Sequence, residues 1–319
     1  MTLPMVVRDP ALPSRVRIWE VGPRDGLQNE SMVLDTAIKV EFVDRLAQAG
    51  LGVVEATSFV RADRVPQLAD AREVMAGIAR RDDVRYPVLV PNLRGLESAI
   101  DAGVSDIAIF ASATESFAQR NLGRGYDAQW EMFEPVTMRA RAEGLRVRGY
   151  LSMCFGDPWK GAVPAEQVVT AALRLLDLGC DAISLGDTIG VATPGQVGDL
   201  VRRLVGAGVP LDATGVHFHD TYGQALANTL AALREGVTTV DSSAGGLGGC
   251  PYAKAATGNL ATEDLVYMLD GLGISHGVDL AALIDTSRWL EDHLGRPSPS
   301  RVVRAGIPSR SSDGSPSAQ

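Results

Sequence analysis

His217 and His219 stand two apart in the run Gly215-Val216-His217-Phe218-His219-Asp220. Residues two apart on a strand share a face, so the run sets two imidazoles side by side with a carboxylate following at once. The chain has four histidines, and half of them are here. Two hydrogen-bonded strand histidines would look the same; a metal-binding pair needs oxygen ligands from elsewhere in the chain. Asp25, in Glu20-Val21-Gly22-Pro23-Arg24-Asp25-Gly26-Leu27-Gln28-Asn29-Glu30, and the amide oxygen of Asn259 supply candidates. A mixed nitrogen and oxygen set without thiolate suits one six-coordinate Mg²⁺ or Mn²⁺ per chain, with positions left for substrate oxygens. Such an ion polarises a chelating hydroxyl and carbonyl. Arg24 beside it is a permanent cation for an oxygen gaining negative charge. Asp187 and Glu55 are candidates for moving a proton or orienting a partner. Cys250 follows Gly245-Gly246-Leu247-Gly248-Gly249, a glycine-rich loop able to move a thiol acid toward a carbanion. The plainer reading of Cys250 is a small buried apolar residue.

Those residues need a scaffold that gathers them. Apolar, β-branched runs at 16–21, 52–57, 86–91, 106–111, 147–153, 182–187, 215–219 and 238–242 alternate with helical periodicity, for example at 39–49, 166–178 and 196–205. Gly50, Gly103, Gly179 and Gly236 fall where helix C-caps are expected. Eight β-then-α rounds in ~250 residues predict an α/β fold of the (β/α)8 TIM-barrel type. A doubly wound open sheet is the alternative, but no G-x-G-x-x-G turn supports it. The barrel domain is read as 1–295, with closing helices at 262–272 and 280–294 and a long loop plus helix between 115 and 145. The Pro, Ser, Arg and Gly composition of 296–319 predicts a disordered C-terminal tail. In such a barrel the active site lies where strands end, and every candidate above falls at a strand end or in the loop after it.

A hydrophobic fraction of 45% with 22% charged residues describes an ordinary globular chain of 319 residues. A net charge of −9 argues against a nucleic-acid or anionic-membrane partner. Cys154, Cys180 and Cys250 form no C-x-x-C, which fits a reducing compartment. No apolar run approaches ~18 residues and the N-terminus shows no signal pattern, so a cytoplasmic protein is expected.

The Glu20 to Glu30 segment and Gly246-Leu247-Gly248-Gly249-Cys250-Pro251-Tyr252-Ala253 resemble signatures of the 3-hydroxy-3-methylglutaryl-CoA lyase family. So do Pro91-Asn92-Leu93-Arg94-Gly95, Ser184-Leu185-Gly186-Asp187-Thr188-Ile189-Gly190 and the stretch from His219 to Thr229. The resemblance implies a metal-dependent carbon–carbon lyase that cleaves an acyl-CoA substrate, 3-hydroxy-3-methylglutaryl-CoA, to acetyl-CoA and acetoacetate, in leucine degradation. It implies Asp25, His217, His219 and Asn259 as metal ligands, Arg24 on the enolate oxygen, and Cys250 as the acid that protonates the carbanion. Glu55 and Asp187 would assist; Asp187, His217 or a metal-bound water would take the hydroxyl proton. A homodimer is implied by the resemblance alone.

Three stretches depart from the family pattern. Gly156-Asp157-Pro158-Trp159-Lys160-Gly161 replaces a usual G-C-P-Y-E-G, Arg120-Asn121-Leu122-Gly123 replaces K-N-I-N, and Lys254-Ala255-Ala256-Thr257-Gly258-Asn259 replaces x-G-A-S-G-N. The first two leave citramalyl-CoA or a longer 3-substituted glutaryl-CoA as alternative substrates. A condensing acyltransferase of the same superfamily is the alternative reaction, disfavoured by the Cys250 loop and by the expected absence of a regulatory domain. A scaffold barrel without catalysis fits the ligand set least.

Overall fold

The computed structural model describes residues 4–249 and 258–306. Its eight barrel strands are β1 Arg17–Glu20, β2 Thr57–Ser58, β3 Val88–Leu89, β4 Asp106–Ser112, β5 Arg146–Ser152, β6 Ala182–Asp187, β7 Thr214–Phe218 and β8 Thr239–Ser242. Each pairs in parallel with its sequence neighbour from β2 to β8, and β1 pairs with β8. The ring closes where Glu20 meets Val54 in a parallel bridge and Glu55 N donates to Glu20 O at 2.8 Å. The expected eight-stranded barrel is therefore present, with every predicted strand in its place.

The helices between strands are α1 Thr36–Gln48, α2 Ala71–Gly77, α3 Leu93–Asp101, α4 Glu115–Leu122, α5 Tyr126–Ala142, α6 Ala165–Asp177, α7 Pro194–Gly206 and α8 Ala225–Arg234. After β8 come α9 Thr262–Leu272, α10 Leu280–Leu294 and α11 Arg301–Ala305. Local chemistry sets their ends. Thr193 and Gln196 form a reciprocal capping box at the start of α7, and Asp279 accepts from Ala281 N and Ala282 N at the start of α10. Gly50, Gly103, Gly179 and Gly236, the predicted C-caps, all have φ between +69° and +98°.

The stretch from 115 to 145 holds two helices rather than a long loop and one helix. Thr114 caps the first, and Gly123, at φ +66°, ends it. A short hairpin, Gly156–Asp157 against Gly161–Ala162, projects after β5. Asp157 anchors it by accepting from Thr114 Oγ1 at 2.6 Å, from Ser116 Oγ, and from Trp159 N at 2.8 Å.

The expectation of a disordered tail from Arg296 is corrected for residues 296–306. Arg296 pairs with Glu30, Ser298 Oγ donates to Gly245 O at 2.7 Å, and Ser300 Oγ donates to Asp264 at 2.8 Å before α11. Polar side chains with buried or half-buried partners order this segment, and composition alone does not reveal that. Residues 307–319 lie outside the described residues.

The large apolar core lies between strands and helices, built on Phe42, Leu46, Leu96, Ile109, Leu151 and Leu175, all fully buried. The inside of the barrel is different. Arg148, Tyr150, Ser184 and Asp241 are buried on strands β5, β6 and β8 and make the polar contacts described below. The alternation of β5 explains this: the Cβ direction of Gly149 meets Leu175 of α6, so its neighbours Arg148 and Tyr150 face the interior. No helix among the described residues is long and apolar enough to cross a membrane.

Candidate active site

At the end of β1 the chain makes one wide turn, Gly22–Gly26, in which Asp25 N and Gly26 N both bond Val21 O. Local π geometry of this kind recurs at functional sites. It requires glycine at both ends: a Cβ on Gly22 would sit 2.6 Å from Glu20 Oε1, and one on Gly26 would sit 2.8 Å from Leu247 Cβ. The turn delivers Arg24 and Asp25 to the rim together. Arg24 Nε bonds Glu55 Oε1 at 2.5 Å and its Nη1 bonds Asp25 Oδ1 at 2.5 Å, with the guanidinium 5.2 Å from the Tyr150 ring centre. Burial opposes its charge, but Glu55 and Asp25 outweigh burial and hold the guanidinium above its ordinary range. For Asp25 burial pushes upward, and Arg24, His217 and His219 overcome it, so its carboxyl lies well below the usual range.

His217 on β7 and His219 just beyond it face one another, with Nε2 atoms 3.2 Å apart. One ligating atom from each of Asp25, His217 and His219 can be chosen so that all lie within 4.8 Å of one another. Asn259 joins them through a short backbone bridge to His219, in which Leu260 N donates to Phe218 O and Asp220 N to Gly258 O. Its Nδ2 donates to Asp25 Oδ2 and to Leu247 O, both at 2.9 Å. That leaves Oδ1 buried with no hydrogen-bond partner. A buried acceptor without a donor is costly, and one beside two imidazoles and a carboxylate fits a cation. Burial and then His217 lower the His219 imidazole to about 4, so it is a neutral donor at physiological pH.

Glu55, fully buried, is an orienting group: its carboxylate accepts from Arg24, from Trp19 Nε1 at 2.9 Å and from the Tyr150 hydroxyl. Asp187, at the end of β6, turns into its own loop and accepts Val191 N at 2.9 Å and Ala192 N at 3.0 Å. Burial nonetheless lifts its carboxyl to about 6. Sequence reasoning passed over Trp19, Arg148, Tyr150, Ser184 and Asp241, which form the layer below. Arg148 pairs with Asp241 at 2.7 Å and lies 4.1 Å from the Trp19 ring centre. The readable signal was a charge in the middle of each of two otherwise buried strands.

Cys250 lies outside the described residues, but both roots of its loop are described. A Cβ on Gly258 would sit 2.3 Å from Gly246 O, and one on Gly248 would sit 2.5 Å from Asn259 Nδ2. The chain thus leaves and returns at a single point against Asn259, two residues before Cys250 on one side. Two buried carboxyls hold the incoming root. Glu20 accepts Ala244 N and Gly22 N, both at 2.8 Å, and Glu263 accepts Gly245 N at 2.9 and 3.0 Å. Burial raises Glu20 to about 7 and Glu263 to about 8.

The HMGL-like family pattern matches residues 15–290. The mitochondrial hydroxymethylglutaryl-CoA lyase of Rattus norvegicus is 50% identical over 92% of this chain and 90% of its own length. The cytoplasmic 3-hydroxy-3-methylglutaryl-CoA lyase of the same animal is 48% identical over 94% and 87%. Among solved structures, hydroxymethylglutaryl-CoA lyase from Pseudomonas aeruginosa superimposes with a TM-score of 0.91 at 48% identity, covering 92% of this chain and 98% of that one. An HMG-CoA lyase from Acinetobacter baumannii in complex with coenzyme A and 3-methylmalate gives a TM-score of 0.89 at 34% identity, over 95% and 98%. With the barrel, the rim and these likenesses in agreement, the chain belongs to the hydroxymethylglutaryl-CoA lyase family of carbon–carbon lyases.

Proposed function

We propose that this chain cleaves 3-hydroxy-3-methylglutaryl-CoA to acetyl-CoA and acetoacetate with one divalent cation, Mg²⁺ or Mn²⁺, held by Asp25, His217, His219 and Asn259. The observation that carries the reading is the buried, unpartnered Oδ1 of Asn259 beside the Asp25, His217 and His219 cluster. The cation, when bound, supplies Lewis acidity to the hydroxyl and carbonyl oxygens of the substrate. Arg24, pinned at two nitrogens, presents a fixed cation to the oxygen that becomes an enolate as the carbon–carbon bond breaks. Glu55, locked by Trp19 and Tyr150, keeps Arg24 from rotating away. Asp187 is the side chain available to accept the proton of the tertiary hydroxyl, since His217, as a ligand of the cation, has no lone pair left for it. Cys250, brought by its glycine-rich loop, returns a proton to the acetyl-CoA carbanion.

The compartment, the assembly and the pathway belong to the same proposal: a cytoplasmic homodimer acting in leucine degradation. The buried free thiols of Cys154 and Cys180 support the reducing compartment. The other acyl-CoA substrates remain a second reading because of the hairpin after β5, where Arg120 lies 4.1 Å from the ring centre of a partly exposed Trp159.

The test is acetoacetate release from 3-hydroxy-3-methylglutaryl-CoA with Mg²⁺ or Mn²⁺ and a thiol reductant. Activity should vanish on chelation, return with either ion, and collapse in Cys250→Ala. Full activity in the metal-free protein would overturn the metal reading. Faster turnover of citramalyl-CoA or of a longer 3-substituted glutaryl-CoA would replace the substrate.

A further inference from the structure

A charged pair inside a barrel needs a reason, because burying two charges costs about as much as their attraction returns. Arg148 and Asp241 are such a pair, at 3% and 0% side-chain exposure. Asp241 Oδ1 accepts from Arg148 Nη2 at 2.7 Å and Oδ2 from Ser184 Oγ at 2.8 Å. The guanidinium is held between rings, 4.1 Å from the Trp19 centre and 5.0 Å from that of Tyr150. Asp241 therefore has little freedom to move. Across the β8–β7 ladder it is in register with His217, and its Oδ2 lies 3.3 Å from His217 Nδ1. That approach is oblique and falls short of hydrogen-bond geometry in this structure. Tyr150 meets the same imidazole edge-on, with ring centres 6.2 Å apart.

We propose that Asp241, fixed by Arg148 and Ser184, is a positioning residue that keeps the proton of His217 on Nδ1 and leaves Nε2 as a lone-pair donor toward the site. The inference rests on the reading of His217 as a metal ligand. A carboxylate can only accept, so the ring nitrogen facing it carries the proton. An imidazole anchored this way is a better oriented and more basic ligand, and removing such a partner typically lowers metal affinity by about 10- to 100-fold. The pair thus does for His217 what Glu55 does for Arg24: each site group is held from below by a carboxylate fixed in the barrel interior.

Asp241→Asn tests it with little change of shape. Arg148 should retain the amide oxygen, which turns the Asn amide NH₂ toward His217 Nδ1; a donor there favours the opposite tautomer. Long-range ¹H–¹⁵N spectra of histidine-labelled, metal-free protein at pH 8 should show His217 protonated on Nδ1 in wild type and on Nε2 in Asp241→Asn. Mn²⁺ titrations should show about 10- to 100-fold weaker binding in the variant. A wild-type His217 protonated on Nε2, or a variant with unchanged tautomer and affinity, would overturn the inference. If Asp241→Asn does not fold, the wild-type tautomer alone decides. Absence of Mn²⁺ binding by wild type would instead overturn the metal reading, with the tautomers still deciding the role of Asp241.

Discussion

Glu263 offers a quantitative check on how the loop root is held. It is fully buried, with Ser287 Oγ and Gly245 N as its donors, and neighbouring Glu20 adds to the upward push of burial. Its carboxyl is raised from 4.5 to about 8, so at neutral pH the folded chain keeps a proton that the unfolded chain releases. The folded state binds more protons between those values. The stability this group contributes is complete below pH 4.5 and is lost as the pH rises toward 8. Between 4.5 and 7 the loss is about 3 kcal/mol, at ~1.4 kcal/mol per pH unit. Glu20, raised to about 7, acts in the same direction. Glu263→Gln keeps an oxygen for Gly245 N but has no proton to lose. Urea unfolding followed by circular dichroism at pH 5, 6.5 and 8 should show the variant roughly 1 kcal/mol below wild type at pH 5, for one altered hydrogen bond. It should lie about 2 kcal/mol above wild type at pH 8. Parallel pH dependence in the two proteins would refute the reasoning, because it would show that Glu263 does not hold its proton on folding.

Two further outcomes follow from contacts at the rim. Arg24→Lys keeps a charge but cannot reproduce the hold on Glu55 and Asp25, so kcat for acetoacetate release should fall by about 10²- to 10³-fold; a change under about 5-fold would remove Arg24 from the chemistry. Ser298→Ala deletes the bond to Gly245 O, and thermal unfolding should show a loss of about 1 kcal/mol. No change there would mean that the segment after Arg296 does not brace the glycine loop.

The barrel and its rim were legible because both follow from period and position. The strands are short apolar runs, and the candidates stand at strand ends, where a parallel barrel exposes side chains. Asp25, His217, His219 and Asn259 do converge in the structure, as their residue types and positions predict, although they come from three distant parts of the chain. The interior layer was harder. Arg148 and Tyr150 alternate with Val147, Gly149 and Leu151, a pattern that also describes a sheet with one solvated face; only ring closure sends the alternate face inward. Asp241 is a lone carboxylate within the short run of β8, and nothing in the sequence shows that Arg148 and Ser184 occupy its two oxygens. The order of 296–306 was not legible because it comes from a two-point ion pair with Glu30 and from hydrogen bonds to Gly245 and Asp264, for which Pro-Ser-Arg composition carries no signal.

The charges inside this barrel also argue for what the rim is built to hold. Arg24 and Arg148 face the carboxylates of Asp25, Glu55 and Asp241, so two positive charges meet three negative ones in a closed, poorly solvated space. His219 does not neutralise the excess, because burial keeps it uncharged at physiological pH. A purely apolar middle layer would pack at least as stably, since buried ion pairs seldom outperform well-fitted hydrophobic groups. What it would not do is fix the rotamers of Arg24 and His217 from beneath. The arrangement makes sense if the surplus negative charge is the resting state of a site that takes a divalent cation. The loaded cluster, Arg24 included, would then carry one net positive charge where an enolate oxygen has to be stabilised. On the proposed function, the fixed carboxylates below and the cation site above are two parts of one electrostatic arrangement.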